Sequence, residues 1–313
     1  MNEDLVKAGS VSIVVGKNHY GKYITPKKGK LLKITYLDSI QNEFQNMDVI
    51  SKIPNAQEYF ALTENSIFML EEKPDFLEKI KEIIINEEME NMISKTLIGF
   101  FVDYGGDKEI YDTVVEMIEN YKSEVWKKTQ DILNFIRHVI EGLDYLHLEK
   151  ICHLDVKLEN IMMDTITKNC KLIDFGFASI EPFTQYIKKP RGTPGYFPQR
   201  IAGEKITIYH PQIKANDFIY DMYGSIPIRK NPQLVYKIDS YCLGRTLYCL
   251  WIAFQEIQPT CCFCHTHVSK TKNGKIIGKI IRYLLNNDIY QRKTISEIRS
   301  EFFKEDKIKI TSV

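Results

Sequence analysis

The residues best placed to do chemistry lie in one stretch, Cys152–Ser179, CHLDVKLENIMMDTITKNCKLIDFGFAS. It holds His153 and Asp155, then Lys157 and Asn160. It continues with a short apolar strand, Lys171-Leu172-Ile173, that ends in Asp174-Phe175-Gly176. Alone, each acid, amide or lysine reads as a surface group. Occurring together and in this order, they fit phosphoryl transfer. That reaction needs the attacking hydroxyl aligned, its proton accepted, and cations over the phosphate oxygens.

The segment resembles the catalytic loop and metal-binding loop of eukaryotic-type protein kinases, H-R-D-x-K-x-x-N followed by D-F-G. The resemblance implies that Asp155 orients the hydroxyl and accepts its proton. Asn160 and Asp174 would hold Mg²⁺, or Mn²⁺ in its place, as hard cations that take oxygen ligands. Lys157 would neutralise charge on the γ-phosphate. The likeness extends outward. Gly192-Thr193-Pro194-Gly195-Tyr196 is similar to the G-T-P-x-Y substrate loop, with Thr193 as its marker. Lys237–Gly244, KIDSYCLG, resembles the start of the central helix of the larger lobe, where Asp239 would cap the catalytic-loop backbone. Arg292 resembles the late arginine of that lobe. Val102-Asp103-Tyr104-Gly105-Gly106 resembles the hinge: the backbone of Asp103 and Gly105 would bond adenine, and Val102 would stand as gatekeeper. Met162 is carried over as an ATP-binding residue.

The N-terminal match is sparser. The glycine-rich loop aligns as Lys7-x-Gly9-x-x-Ser12-x-Val14, keeping one of three glycines, where backbone amides must approach phosphates closely. For the strand lysine that contacts ATP the choice is Lys33, with Lys30 as its rival. The partner on the helix is Glu43, at a shorter separation than the family's usual one. Leu31 stands where the family has alanine over the adenine.

Other departures carry expectations. Leu154 replaces the arginine that in the family binds an activation-loop phosphate. An enzyme that is constitutively competent, or controlled in another way, is therefore expected. The A-P-E motif is reduced to Phe197-Pro198-Gln199, so a Gln199–Arg292 contact would be a neutral hydrogen bond. Lys157 and Thr193 favour serine/threonine specificity. Lys188, Lys189 and Arg191 read first as a solvated loop; the sharper reading is a preference for acidic or phosphorylated neighbours in the substrate. Cys261, Cys262, Cys264, His265 and His267 crowd one short run; they read as a thiol-bearing loop, with a zinc site as the rival.

These residues must be held by a scaffold. Ser10–Val15, Lys30–Tyr36, Ser66–Leu70 and Leu97–Val102 read as strands, and Asp38–Ile53 as a helix with apolar positions three and four apart. Glu71–Lys95 reads as a solvated inserted helix, with a partner-binding helix as the alternative. Ile132–His147, Tyr236–Phe254 and Lys275–Leu285 read as helices. The fold class is α+β and bilobal. Residues 1–102 form a small antiparallel sheet with one helix and an insertion at 71–95, and 103–106 the hinge. Residues 107–305 form a mainly helical lobe with an insertion at 203–235, and 306–313 a tail.

Composition narrows the function. A length of 313 residues allows one large domain or two modest ones, and the motifs make it one catalytic unit. With 42 Lys+Arg against 41 Asp+Glu, the net charge of +1 gives no basic field, so no nucleic-acid partner is expected. The apolar run Leu247–Phe254 is far too short to span a bilayer, and the first residues show no signal peptide, so no membrane partner is expected. Seven cysteines, mostly scattered, suit free thiols in an intracellular, cytoplasmic setting. The reading is a serine/threonine protein kinase that uses Mg·ATP and a protein substrate; its rival is a pseudokinase-like scaffold. A small-molecule kinase is a third, weaker possibility. The oligomeric state stays open.

Overall fold

The structure, a computed structural model, describes residues 3–8, 12–37, 41–120, 126, 128–184, 192–196, 206–207, 214–215, 231–255, 271–286 and 288–303. The N-terminal lobe is built on five strands: β1 (Val6–Ala8), β2 (Ser12–Val15), β3 (Lys30–Tyr36), β4 (Thr63–Met69) and β5 (Leu97–Asp103). They lie in the order β1-β2-β3-β5-β4, and every neighbouring pair is antiparallel. Strand β3 is central, and its alternation decides which residues face where. Leu32 and Ile34 point to the outer face, while Lys33 shares a register with Val14 on one side and Phe100 on the other.

Both faces of this sheet are covered. Four helices accompany it: α1 (Lys17–Tyr20), α2 (Gln41–Ile50), α3 (Ala56–Tyr59) and α4 (Pro74–Asn86). The expected single helix is α2. Its Phe44 packs on Ile98 and Phe100 under the inner face, and its Met47 and Ile50 enter the core of the larger lobe. The inserted segment differs from a solvated helix. Helix α4 starts on Pro74, a residue suited to a first helical turn, and buries Phe76, Ile80, Ile83 and Ile84. Spaced 4, 3 and 1 apart, they form one stripe, which lies against Ile13, Val15, Leu32 and Ile34. The charged character that made 71–95 read as solvated belongs to the other side of the helix.

The larger lobe opens with β6 (Lys108–Glu109), α5 (Ile110–Asn120) and α6 (Thr129–Leu148). The stripe Ile132, Phe135, Ile136, Val139, Ile140, Leu143 and Leu146 is buried, as its spacing requires. Strands β7 (Ile151–Cys152), β8 (Ile161–Met163), β9 (Cys170–Leu172) and β10 (Ser179–Ile180) follow. Then come α7 (Tyr236–Phe254), α8 (Lys272–Leu284) and α9 (Ile295–Phe302). Helix α7 is buried on nearly every side, which explains the all-round apolar run LYCLWIAF. Among the described residues, no helix is long and apolar enough to cross a membrane. The connection between lobes is shorter than expected, because β5 continues through Asp103, paired to Lys30. Gly106 belongs there: it has φ +154°, and an added Cβ would lie 2.4 Å from the backbone of Met163.

Candidate active site

The segment that carried the motif is closed at both ends. Strand β7 pairs with β10 so that Cys152 lies opposite Ser179. Inside it, β8 and β9 form a hairpin with Ile161 opposite Leu172. The next residues out are Asn160 and Ile173, joined by a bond from the Ile173 amide to the Asn160 carbonyl at 3.0 Å. Asp174 follows at once, so local strand pairing alone brings Asn160 and Asp174 together.

Asp155 is held from several directions. Its Oδ1 accepts from the Thr193 amide at 2.8 Å, and its Oδ2 accepts from Asn160 Nδ2 at 3.0 Å. Lys157 Nζ lies 3.1 Å from the same Oδ2 and donates to Thr193 Oγ1 at 2.8 Å. The catalytic loop, the G-T-P-x-Y loop and the acid thus form one network. Beneath it, the buried Asp239 on α7 accepts from the His153 amide at 2.8 Å and the Leu154 amide at 2.7 Å. His147 Nε2 lies 2.9 Å from its Oδ2. Cys152 stands beside these groups, but the Asp239 oxygens are already engaged, so the cluster is a clamp on the loop. The clamp holds Leu154 at φ +64°, a strained conformation for a branched residue, with its side chain fully buried. Leu154 is therefore a core residue here, with no cation to offer.

Above these groups, the two candidate lysines have different partners. Lys33 Nζ donates to Glu43 Oε1 at 2.7 Å and Oε2 at 2.9 Å. Lys30 instead pairs with Asp103 at 2.5 Å, on the far side of the strand. Burial alone would lower the Lys33 pKa, but Glu43 and Asp174 overcome it and hold the ammonium above its ordinary value. The reciprocal holds for Asp174. Burial would raise its carboxyl, yet Lys33, the Gly176 amide, His153 and Lys157 keep it below the usual carboxylate range. Asp174 sits at φ +61° with Gly176 N donating to its Oδ1 at 3.3 Å. Phe175 is buried between the rings of His153 and Phe60.

The remaining expected residues are placed by strand register, packed in the core or outside the description. Val14 lies opposite Lys33, Ser12 opposite Thr35, and Val102 opposite Leu31. The half-exposed Met162 lies between buried neighbours on β8, and a Cβ on Gly105 would come within 3.1 Å of it. Gly9 lies outside the described residues, as do Lys188, Lys189, Arg191, Gln199, nearly all of 203–230 and the Cys261–His267 run. Arg292, buried, donates to the carbonyls of Asn286 at 3.0 Å and Lys237 at 3.1 Å and lies over the Tyr241 ring. The four described cysteines are free and buried. Sequence reading missed three side chains. His147 completes the Asp239 clamp. Arg245 on α7 donates to the Gly195 carbonyl at 3.0 Å, under the G-T-P-x-Y loop. Asn46 on α2 bonds the carbonyls of Phe175 and Ala178, just after Asp174; its only sequence signal is its position one turn after Glu43.

The donor set fits a hard divalent cation. Asn160 Nδ2 is committed to Asp155, at 2.9 Å to the carbonyl and 3.0 Å to the carboxylate, which leaves the amide oxygen as its coordinating atom. With the Asp174 carboxylate it makes an all-oxygen pair.

Comparison with known proteins shows the family and the fold. The family model described as the protein kinase domain matches residues 68–303, more than half of the chain. The chain belongs to the protein kinase domain family. It is 22% identical over 177 residues to the probable serine/threonine-protein kinase HSL1 of Saccharomyces cerevisiae, covering 55% of this chain and 11% of that protein. It is 30% identical over 131 residues to the human CaM kinase-like vesicle-associated protein, covering 41% of this chain and 24% of that protein. The aligned part thus spans less than a quarter of either relative's length. Among solved structures, the kinase PK-1 of Cydia pomonella granulovirus superposes with a TM-score of 0.55 at 20% identity, covering 94% of this chain and 90% of that one. The fold is the bilobal α+β kinase fold.

Proposed function

We propose that the protein is a serine/threonine protein kinase that transfers the γ-phosphoryl group of ATP to a protein hydroxyl. The observation that carries this reading is the junction of Asp155, Lys157 and Thr193 in one network facing the Lys33–Glu43 pair and Asp174. Asp155 accepts the proton of the attacking hydroxyl, with its carboxylate oriented by the Thr193 amide and Asn160. Lys157 is shared between Asp155 and Thr193, so it couples the acid to the loop that receives the substrate. Lys33, held charged by Glu43, is the cation for the ATP phosphates. Asp174 and Asn160 are the residues to hold Mg²⁺, or Mn²⁺, which supplies charge neutralisation over the phosphate oxygens. The adenine would lie between Val14 and Leu31 above and Met162 below, against the backbone at Asp103 and Gly105.

Labelled ATP and a mixture of generic protein substrates test the reading. The wild type is expected to incorporate label into serine and threonine, and Asp155→Asn to incorporate almost none. A wild type that binds Mg·ATP without transferring label favours the scaffold reading, and label appearing on tyrosine alone defeats the assigned specificity.

A further inference from the structure

We propose that Asn46 is a positioning residue for the phosphoryl-transfer site, coupling helix α2 to the metal-binding loop through its side-chain amide; this rests on the kinase reading above. Asn46 is 5% exposed. Its Nδ2 donates to the Phe175 carbonyl at 3.1 Å and to the Ala178 carbonyl at 2.9 Å. Those two carbonyls are the ends of one tight turn, which the Ala178 amide closes by donating to Phe175 O at 3.1 Å. A primary amide has two N–H donors, so one side chain satisfies both ends of the turn.

The consequence follows from what flanks each partner. Glu43 precedes Asn46 by one helical turn, so both project from the same side of α2. Glu43 holds Lys33, and the turn at 175–178 directly follows Asp174, whose Oδ1 accepts from the Gly176 amide inside that turn. Helix α2 therefore fixes both charged ends of the site: Lys33 through a carboxylate and Asp174 through the Asn46 amide. Met47 and Ile50 seat the same helix in the core of the larger lobe, so the coupling runs along a rigid element. Without the Asn46 amide, the Ala178 carbonyl loses this donor and the Phe175 carbonyl keeps only the Ala178 amide, so the turn is free to move relative to α2.

Two variants and two readouts test this. Asn46→Ala removes both donors; Asn46→Ser keeps one hydroxyl donor and guards against a variant that fails to fold. Amide hydrogen exchange reads the turn with no nucleotide present. Exchange at Ala178 is expected to speed up about tenfold or more in Asn46→Ala while the α7 amides keep wild-type protection, because only a local opening is favoured. In the same variant kcat is expected to fall about 10-fold to 100-fold, with a higher Mg²⁺ concentration at half-maximal rate, and Asn46→Ser to fall between. Unchanged exchange at Ala178, equal loss of protection in α7, or a kcat within about twofold of wild type overturns the proposal. If the wild type transfers no phosphate, the kinase reading fails by itself, and exchange at Ala178 alone decides the coupling by Asn46.

Discussion

The floor and the roof of the cleft are held in opposite ways. On the floor, Asp155, Asn160 and Asp174 come from one continuous segment, closed by β7–β10 and folded by the β8–β9 hairpin. Beneath them, three donors converge on the carboxylate of Asp239, which is anchored in a helix buried on nearly every side. On the roof, Lys33, Glu43 and Asn46 come from a strand and a helix that meet only through tertiary packing. The roof therefore depends on the sheet being supported from outside, which α4 does, and on contacts between single side chains of distant elements. The lesson is that one site can combine a locally encoded half with a half set by register.

The largest effect is expected on the floor. Asp174→Ala should reduce phosphotransfer about 1,000-fold or more, as loss of a preorganised charge at a transfer site does, with the melting temperature nearly kept. Steady-state labelling and thermal unfolding together check it; a fall below tenfold would erase the distinction between floor and roof.

Next is the support of the roof. Ile80→Ala on α4 leaves a cavity against the outer face of the sheet and should cost about 2–5 kcal/mol of stability. Denaturant unfolding measures it, and kcat per folded molecule should stay at the wild-type value. A cost under about 0.5 kcal/mol, as for a surface site, would make α4 an ornament instead of a support.

The Lys33–Glu43 pair comes third. Lys33→Met should lower kcat about 100-fold, close to 3 kcal/mol of transition-state stabilisation. It also carries a pH signature. Asp174 has its pKa depressed in the folded state, so the interactions that depress it contribute fully above the unfolded pKa. They are lost as pH falls through the folded value. With Lys33 gone, the largest contribution opposing burial is lost and the Asp174 pKa rises. The acid limb of the pH–rate profile should move to higher pH in Lys33→Met, and an unmoved limb would remove Lys33 from the electrostatics of Asp174.

The smallest effect is a cap remote from the site. Thr294 Oγ1 accepts from the Glu297 amide at 3.2 Å, and Glu297 Oε2 accepts from the Thr294 amide at 2.7 Å, a reciprocal cap on α9. Thr294→Ala should cost about 1 kcal/mol of stability in an unfolding titration and leave phosphotransfer untouched.

Much of the architecture was legible from residues alone. The stripe on α6 and the all-round apolar α7 follow from periodicity, because burial on a helix repeats along the chain itself. The residues proposed for catalysis and metal binding lie together for a related reason: hairpins and tight turns join neighbours in sequence, so their spacing is their geometry. The clamp by Asp239 was expected from a resemblance, but its third donor, His147, was not.

What the chain order left undecided, packing decided. Lys30 and Lys33 lie on one strand, and only the register against β5 and the position of α2 send one to Asp103 and the other to Glu43. The charged segment 71–95 read as solvated because its polar positions outnumber a stripe whose partner, the outer face of the sheet, lies far away in sequence. Asn46 carries no motif; its two hydrogen bonds exist only because α2 and the turn at 175–178 are brought within reach. Residue identity specified the chemistry available, and the long-range approach of strand, helix and loop determined which of those groups meet.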